Sequence, residues 1–315
     1  MKIFKNKYSE VRSGWKISLT FIMMIALTII TSIIVGIVFM GIEMAKNGGD
    51  INAATLAIQS NQMHFVIMAI FQNICVIGTV FVVWRIFEKK KIKYMGLTNI
   101  IPKEGFSQNG YKELGVGLAL GAVTITIVAV VLLLIGSIKL VNPITSPRFS
   151  SNLIIGLLAF IAVGFGEEIF GRGYCMSVLK QTRNKWVVLI VSSIIFSAMH
   201  LANAEIGVLP LINIFLIGIA FGYMFMKSSN IWMPIGFHIT WNYFQGYIWG
   251  FQVSGNVVDG MYQLKTVEDS ILNGGAFGAE GGLMVTFVIL LTIGFVAMYY
   301  KDKNIDDFIN NKVEC

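Results

Sequence analysis

Charged residues are scarce in this sequence. Only 13% of its 315 residues are Asp, Glu, Lys or Arg, whereas 56% are hydrophobic, and the mean hydropathy is +0.73. Soluble domains carry about 25% charged residues, so this composition excludes an ordinary soluble globular protein. It indicates an integral membrane protein, whose surface is covered mostly by lipid rather than by water.

Cysteine is also rare, and the motifs that usually accompany it are missing. Cys75, Cys175 and Cys315 have the paired spacing of neither a disulfide framework nor a zinc-binding motif, and two of them fall in apolar segments, so we expect reduced, structural thiols. The sequence contains no Gly-rich phosphate loop, HExxH motif, serine elbow or cysteine with a paired base. The net charge of +7 is likewise accompanied by no nucleic-acid motif. These absences leave nucleotide-dependent chemistry, the common hydrolase classes and nucleic-acid binding without support.

Long apolar runs are abundant. A helix needs roughly 20 residues to cross the hydrocarbon core of a membrane, and the first run is too long for the 7–15 apolar residues of a cleaved signal peptide. We therefore predict an all-α fold: a polytopic membrane protein with a bundle of about eight transmembrane helices, formed by residues 1–315 as one integral membrane domain. The predicted spans are residues 17–42, 62–84, 114–136, 151–171, 186–204, 208–226, 230–250 and 281–300.

The distribution of basic residues predicts the orientation of these spans. With a cytosolic N-terminus, eight crossings place twenty of the 24 Lys and Arg residues in the cytosol, as the positive-inside rule requires. The exceptions are Lys46, Lys139, Arg148 and Lys265. We therefore expect a multi-pass protein of the cell membrane with both termini in the cytosol. The segment 251–280 is rich in Gly and polar residues, and we expect it to form a flexible external loop.

Three charged side chains interrupt the fourth span. The stretch GFGEEIFGRGY (residues 164–174) places Glu167, Glu168 and Arg172 where each charge costs about 3 kcal/mol or more, so a functional role is the default interpretation. Glu168 and Arg172 stand one helical turn apart and can neutralise each other. Glu167 points about 100° away from them and therefore needs partners from other helices.

Histidine supplies these partners. In FSAMH, Phe196 stands one turn before His200, and in HITWN, Asn242 stands one turn after His238. Polar side chains on a stripe of an apolar helix face the bundle interior or a hydrated cavity, so we expect both stripes to meet Glu167 in one site. We interpret the third histidine, His64, as structural.

Such a site can hydrolyse an amide bond in two ways. A carboxylate beside an imidazole can hold a water and remove its proton, while a second imidazole and a carboxamide donate hydrogen bonds to the oxyanion. Alternatively, Glu167, His200 and His238 could bind a divalent metal such as zinc, which would then activate the water. The cofactor is therefore either none or a divalent metal, and both routes predict hydrolysis.

The three motifs together resemble the CPBP family, which includes the type II CAAX prenyl endopeptidases and the bacteriocin-processing and immunity proteins of the Abi family. The matching residues are EEIFGR (167–172), FSAMH (196–200) and HITWN (238–242), within a core of about residues 150–245. The resemblance implies an intramembrane endopeptidase in which Glu167 and His200 activate water and His238 and Asn242 stabilise the oxyanion. Glu168 and Arg172 would orient the site, and the substrate would be a membrane-associated peptide or protein.

Two other functions remain open at this stage. A non-catalytic membrane immunity or scaffold protein, binding a bacteriocin or a signalling partner, could keep the polar cluster for recognition. A proton-coupled transporter could use Glu167 as a relay, although the polar groups cluster instead of running through the membrane and the sequence shows no inverted repeat.

Overall fold

A computed structural model of the chain describes residues 3–6, 8–101 and 110–310. Its helices are α1 (Ser13–Lys46), α2 (Ile51–Gln59), α3 (Gln62–Phe87), α4 (Gly110–Leu134), α5 (Asn152–Glu168), α6 (Ser177–Leu179), α7 (Lys185–Met199), α8 (Val208–Ser228), α9 (Trp232–Tyr243), α10 (Leu283–Tyr299) and α11 (Ile305–Asn310). Two π-helical segments, Ile169–Met176 and Phe244–Ile248, continue α5 and α9, and short 3-10 turns occupy Ile92–Met95, Lys180–Thr182, Gly275–Phe277 and Ala279–Gly281. Within the described ranges, the only named strands are β1 (Ile138–Leu140) and β2 (Leu264–Thr266), which pair antiparallel.

The structure confirms an all-α polytopic membrane protein. Among the described residues, five helices are long and apolar enough to cross a membrane, and α7 and α10 are shorter apolar helices. The seventh predicted span, residues 230–250, corresponds to α9 and its π-helical continuation. A helix satisfies all its backbone hydrogen bonds internally, which is why lipid-facing segments take this form.

Hydrogen bonds between connecting segments define two ends of the bundle. At one end, Ser13 is bonded to Gln181, and Lys185 is bonded to Asp306 close to the last helix. At the other end, Asn152 at the start of α5 is bonded to Asp259 of the segment between α9 and α10. We call the first the terminal end, because the start of α1 and helix α11 both lie there. We call the second the loop end.

The segment 251–280 at the loop end is more ordered than its composition predicts. It supplies β2, which pairs with β1 after α4, and it buries Phe277 and Ala279. Glu280 at its end accepts hydrogen bonds from Trp241 of α9 and from Ser254. The expectation of a flexible loop is therefore wrong, because side chains from the helices pin this segment in place.

Several residues used in the sequence analysis lie outside the described residues. They are Lys2, Lys7, Lys103 and Lys312, which contribute to the charge bias, and Cys315.

Helices α4 and α9 approach each other closely through glycine. A Cβ atom on Gly117 would stand 2.2 Å from the carbonyl oxygen of Met233, and one on Gly121 would stand 2.3 Å from that of Phe237. Within a membrane, apolar burial gives little drive for helices to associate, so close packing at small residues provides much of it. This contact fixes the position of α9, which carries His238 and Asn242.

We expect Gly117→Ala to lower the free energy of unfolding by about 1–3 kcal/mol, the usual cost of overpacking a tight interface. Gly115→Ala is the matched control in the same helix, because no atom lies within 4 Å of its Cβ position. Unfolding of the two variants in detergent would measure the difference. Equal stability of both variants would show that the α4–α9 contact is not tightly packed.

Candidate active site

The two adjacent glutamates stand where α5 changes its helical form. Glu167 and Glu168 are the last residues of α5, and the π-helical segment Ile169–Met176 that follows is buried at every position. π-helical turns within α-helices occur frequently at functional sites. Neighbouring helical residues point about 100° apart, so the two carboxylates enter different surroundings.

Glu168 is the centre of a buried ionic network. Its Oε1 accepts a hydrogen bond from Arg172 Nη1 at 3.0 Å and another from His238 Nδ1 at 3.0 Å. All three residues are buried. The predicted pairing of Glu168 with Arg172 is therefore present, and the network extends to α9 through a partner that the helical spacing alone did not assign.

Arg172 also connects the network to α7 and α8. Its guanidinium carbon lies 4.2 Å from the centre of the Phe196 ring and 4.9 Å from that of the Phe221 ring, and Nη2 donates to the carbonyl of Gly218 at 3.3 Å. Such cation–π contacts stabilise a desolvated cation. The phenylalanine of FSAMH thus contacts the arginine of the first motif.

The backbone at the end of α7 determines how His200 is oriented. The helix ends at Met199, earlier than the predicted span, because the amide of His200 bonds to Ser197 and leaves the Phe196 carbonyl free. His200 Nδ1 lies 2.9 Å from this carbonyl oxygen. A carbonyl only accepts hydrogen bonds, so Nδ1 carries a proton and Nε2 is the nitrogen that faces the site.

Glu167 faces both imidazole rings. Its Oε2 lies 3.9 Å from His200 Nε2 and 3.8 Å from His238 Nε2. This oxygen is buried and has no hydrogen-bond partner among the described residues. Burial of a carboxylate oxygen without a hydrogen-bond partner costs free energy. A small polar molecule held between these three atoms would donate the missing hydrogen bond.

The three groups line one cavity of about 960 Å³. Asn242, one turn after His238, lines the same cavity, whereas Glu168 and Arg172 lie behind its wall. The structure therefore brings Glu167, His200, His238 and Asn242 to a common cavity.

Sequence reasoning overlooked several residues around the cavity. Phe221 stacks on the His238 ring with centroids 5.4 Å apart, and Asn73 lines the wall where Gly166 leaves room for its carboxamide. An aromatic or amide residue in an apolar helix gives no local signal of such a position. His64, interpreted as structural, also lies on the cavity wall.

Three further polar residues differ in their surroundings. Asn203 and Asn213 line the cavity, and Asn213 also bonds to the Glu280 and Gly282 carbonyls, so interhelical bonding and cavity lining coincide there. Gln245 is buried and donates to Gln252.

As they stand, the two histidine nitrogens lie farther from Glu167 Oε2 than the ligand atoms of a tetrahedral zinc ion lie from one another. Ligand atoms of a tetrahedral zinc lie about 3.4 Å apart, given bonds of about 2.1 Å, and the separations from Glu167 are 3.8 and 3.9 Å. No group of three or more His, Cys, Asp or Glu in the described ranges has the geometry of a metal site. Zinc binding by these residues requires the site to contract, and it stays a prediction.

The fold and the site define a polytopic helical membrane protein with a glutamate and two histidines around a buried cavity. Residues 149–244 match the family described as type II CAAX prenyl endopeptidase Rce1-like. The resemblance drawn from the three motifs is thereby confirmed, and it supports a CAAX-type intramembrane protease in general. No curated protein matches the chain.

We expect Arg172→Met to lower the free energy of unfolding by about 3–5 kcal/mol, because it removes one partner of a buried ion pair. The double variant Arg172→Met/Glu168→Gln should be more stable than the single one, since the uncompensated carboxylate is gone. Unfolding of both variants and of Glu168→Gln in detergent completes the double-mutant cycle. Strictly additive losses in the free energy of unfolding would show that the two side chains do not interact.

Proposed function

We propose that the protein is an intramembrane endopeptidase that hydrolyses a peptide bond in a membrane-associated peptide or protein. The observation that carries this proposal is the buried, unpartnered Oε2 of Glu167, which faces the Nε2 atoms of His200 and His238 inside a cavity. The family supports the same class of enzyme.

Glu167 and His200 activate the water in this proposal. A water placed between Glu167 Oε2 and His200 Nε2 is within hydrogen-bond reach of both atoms. Nε2 of His200 carries a lone pair, because the proton is on Nδ1, so it accepts one hydrogen of the water and aligns it. Glu167 accepts the other proton as the water oxygen attacks the peptide carbonyl carbon, and then returns it to the leaving amine as the C–N bond breaks.

His238 and Asn242 stabilise the oxyanion. The Nδ1–H of His238 is held by Glu168, so donation from Nε2 requires a proton on both ring nitrogens. The resulting cation lies beside two carboxylates and one guanidinium, which leaves the cluster of four charges neutral. The Asn242 carboxamide lines the same cavity and supplies a second donor.

Glu167→Gln should lower the rate of peptide hydrolysis at least about 100-fold, because it removes the general base while keeping size and shape. The readout is a comparison of membrane and secreted peptides from cells that express either form, followed by hydrolysis assays with the purified protein. Glu268→Gln is the matched control, since this glutamate is exposed and does not line the cavity.

The same experiment separates the enzyme from a non-catalytic immunity or scaffold protein. A binding protein would keep its protective or binding activity in Glu167→Gln, and no peptide would differ between the two cell populations. Unchanged hydrolysis in this variant would end the proposed mechanism.

Asn242→Ala should lower kcat by about 10²–10³-fold, the usual loss on removing an oxyanion donor, with a smaller effect on KM. Steady-state kinetics with the peptide identified above measure both constants. A loss confined to KM would assign Asn242 to substrate binding instead.

Hydrolysis should survive dialysis against a zinc chelator, because the proposed steps use only side chains and water. The metal content of the purified protein is measured before and after dialysis. Loss of activity that added zinc restores, together with lost zinc binding in His200→Ala, would instead support the metal route through Glu167, His200 and His238.

A further inference from the structure

Within the described residues, the cavity lining extends to the loop end of the bundle. Its outer part is lined by Asn61 and His64 at the start of α3, Asn203 after α7, and Asn256 before α10. All of these residues lie at the loop end, where Gln62 Nε2 reaches the Val257 carbonyl at 3.5 Å. The mouth of the cavity therefore lies at the loop end.

Among the described residues, packed segments fill the terminal end below the site. The π-helical segment Ile169–Met176 is buried throughout and lies between Glu168 and that end. Tyr174 donates to the Lys16 carbonyl at 3.2 Å, and the amide of Ile231 bonds to the Gly96 carbonyl at 3.2 Å, so neighbouring segments are joined beneath it. The described lining residues include none from the connections at this end.

Basic residues are concentrated at the closed end. Among the described residues, fifteen Lys and Arg stand there: Lys5, Arg12, Lys16, Arg85, Lys89, Lys90, Lys91, Lys93, Lys112, Lys180, Arg183, Lys185, Lys227, Lys301 and Lys303. Only Lys46, Lys139, Arg148 and Lys265 stand at the loop end. Since basic residues next to spans remain on the cytosolic side, the closed end is cytosolic and the open end is not.

The lining of the cavity indicates which peptides fit. Its walls carry apolar side chains such as Phe65, Met68, Ile217 and Ile289, and its mouth carries amides. No Lys or Arg contributes to the lining within the described ranges, whereas Glu167 and Glu280 do. An apolar peptide fits these walls. A carboxylate in the cavity would meet Glu167 and Glu280, and the cation that the mechanism places there, His238, is already paired with Glu168.

We propose that the active site opens to the non-cytosolic side of the membrane and that its substrate is an exported, apolar peptide segment without acidic residues beside the cleaved bond. This inference rests on the proposed function. It also places the reaction after translocation: the substrate is supplied by an export step, and a cytosolic C-terminus would approach from the closed end.

Accessibility of introduced cysteines tests the orientation. Asn256→Cys at the mouth and Lys301→Cys at the terminal end are both at exposed positions, and each is made in a Cys315→Ser background whose labelling gives the baseline. Intact and permeabilised cells are treated with a membrane-impermeant maleimide. We expect Asn256→Cys to be labelled equally in both, and Lys301→Cys only after permeabilisation.

The opposite pattern, or labelling of both positions in intact cells, would overturn the proposal. The readout needs no catalysis, and the same labelling in a Glu167→Gln background confirms that it does not. A failure of the orientation is therefore distinguishable from a failure of the proposed enzymatic function.

A second arm tests the substrate class. An impermeant, quenched peptide with an apolar sequence is added outside intact cells, beside a matched peptide with Asp on both sides of the central bond. Wild type should cleave the apolar peptide at least about tenfold faster, a difference of about 1.4 kcal/mol, and Glu167→Gln should cleave neither. Equal cleavage of the two peptides would overturn the proposed specificity, and external labelling of Asn256→Cys without any cleavage would count against the enzymatic proposal instead.

Discussion

The buried charge of Arg172 is the constraint around which the site is built. A guanidinium inside a membrane protein must be compensated by a carboxylate, by carbonyl oxygens or by aromatic faces, and Arg172 uses all three, through Glu168, Gly218 and the rings of Phe196 and Phe221. These contacts come from α5, α7 and α8, and Glu168 adds α9 through His238. Four helices are therefore held in one arrangement by a single desolvated cation.

The consequence of this arrangement is that two neighbouring glutamates have different surroundings. Glu168 shares one oxygen between Arg172 and His238 and lies behind the cavity wall, whereas Glu167 presents a carboxylate oxygen without a partner to the cavity. The Glu168 carboxylate orients His238 in the same way that the Phe196 carbonyl orients His200. Both Nε2 atoms then face Glu167, which is the condition for holding one water between them.

The bundle around the site has an open and a closed end, and the difference arises from ordinary packing. The π-helical segment and the connections joined to it fill the terminal end, while the segment 251–280 is held at the rim by Glu280 and leaves the mouth free. Among the described residues, the route that the cavity lining offers to Glu167 begins at the loop end. Which peptides reach the site follows from the side of the membrane on which that route begins.

The sequence by itself determined the membrane class, the helical spans and the candidate residues, because apolar run length and the cost of a buried charge are local properties. The spacing of Glu168 and Arg172 likewise predicted their pairing, since both lie on one helix. Only the tertiary structure decided that His238 shares Glu168, that Phe221 and Asn73 join the site, that the segment 251–280 is ordered, and at which end the cavity opens. These features depend on contacts between segments far apart in the chain, and a hydropathy pattern or a motif carries no information about which faces of two helices meet.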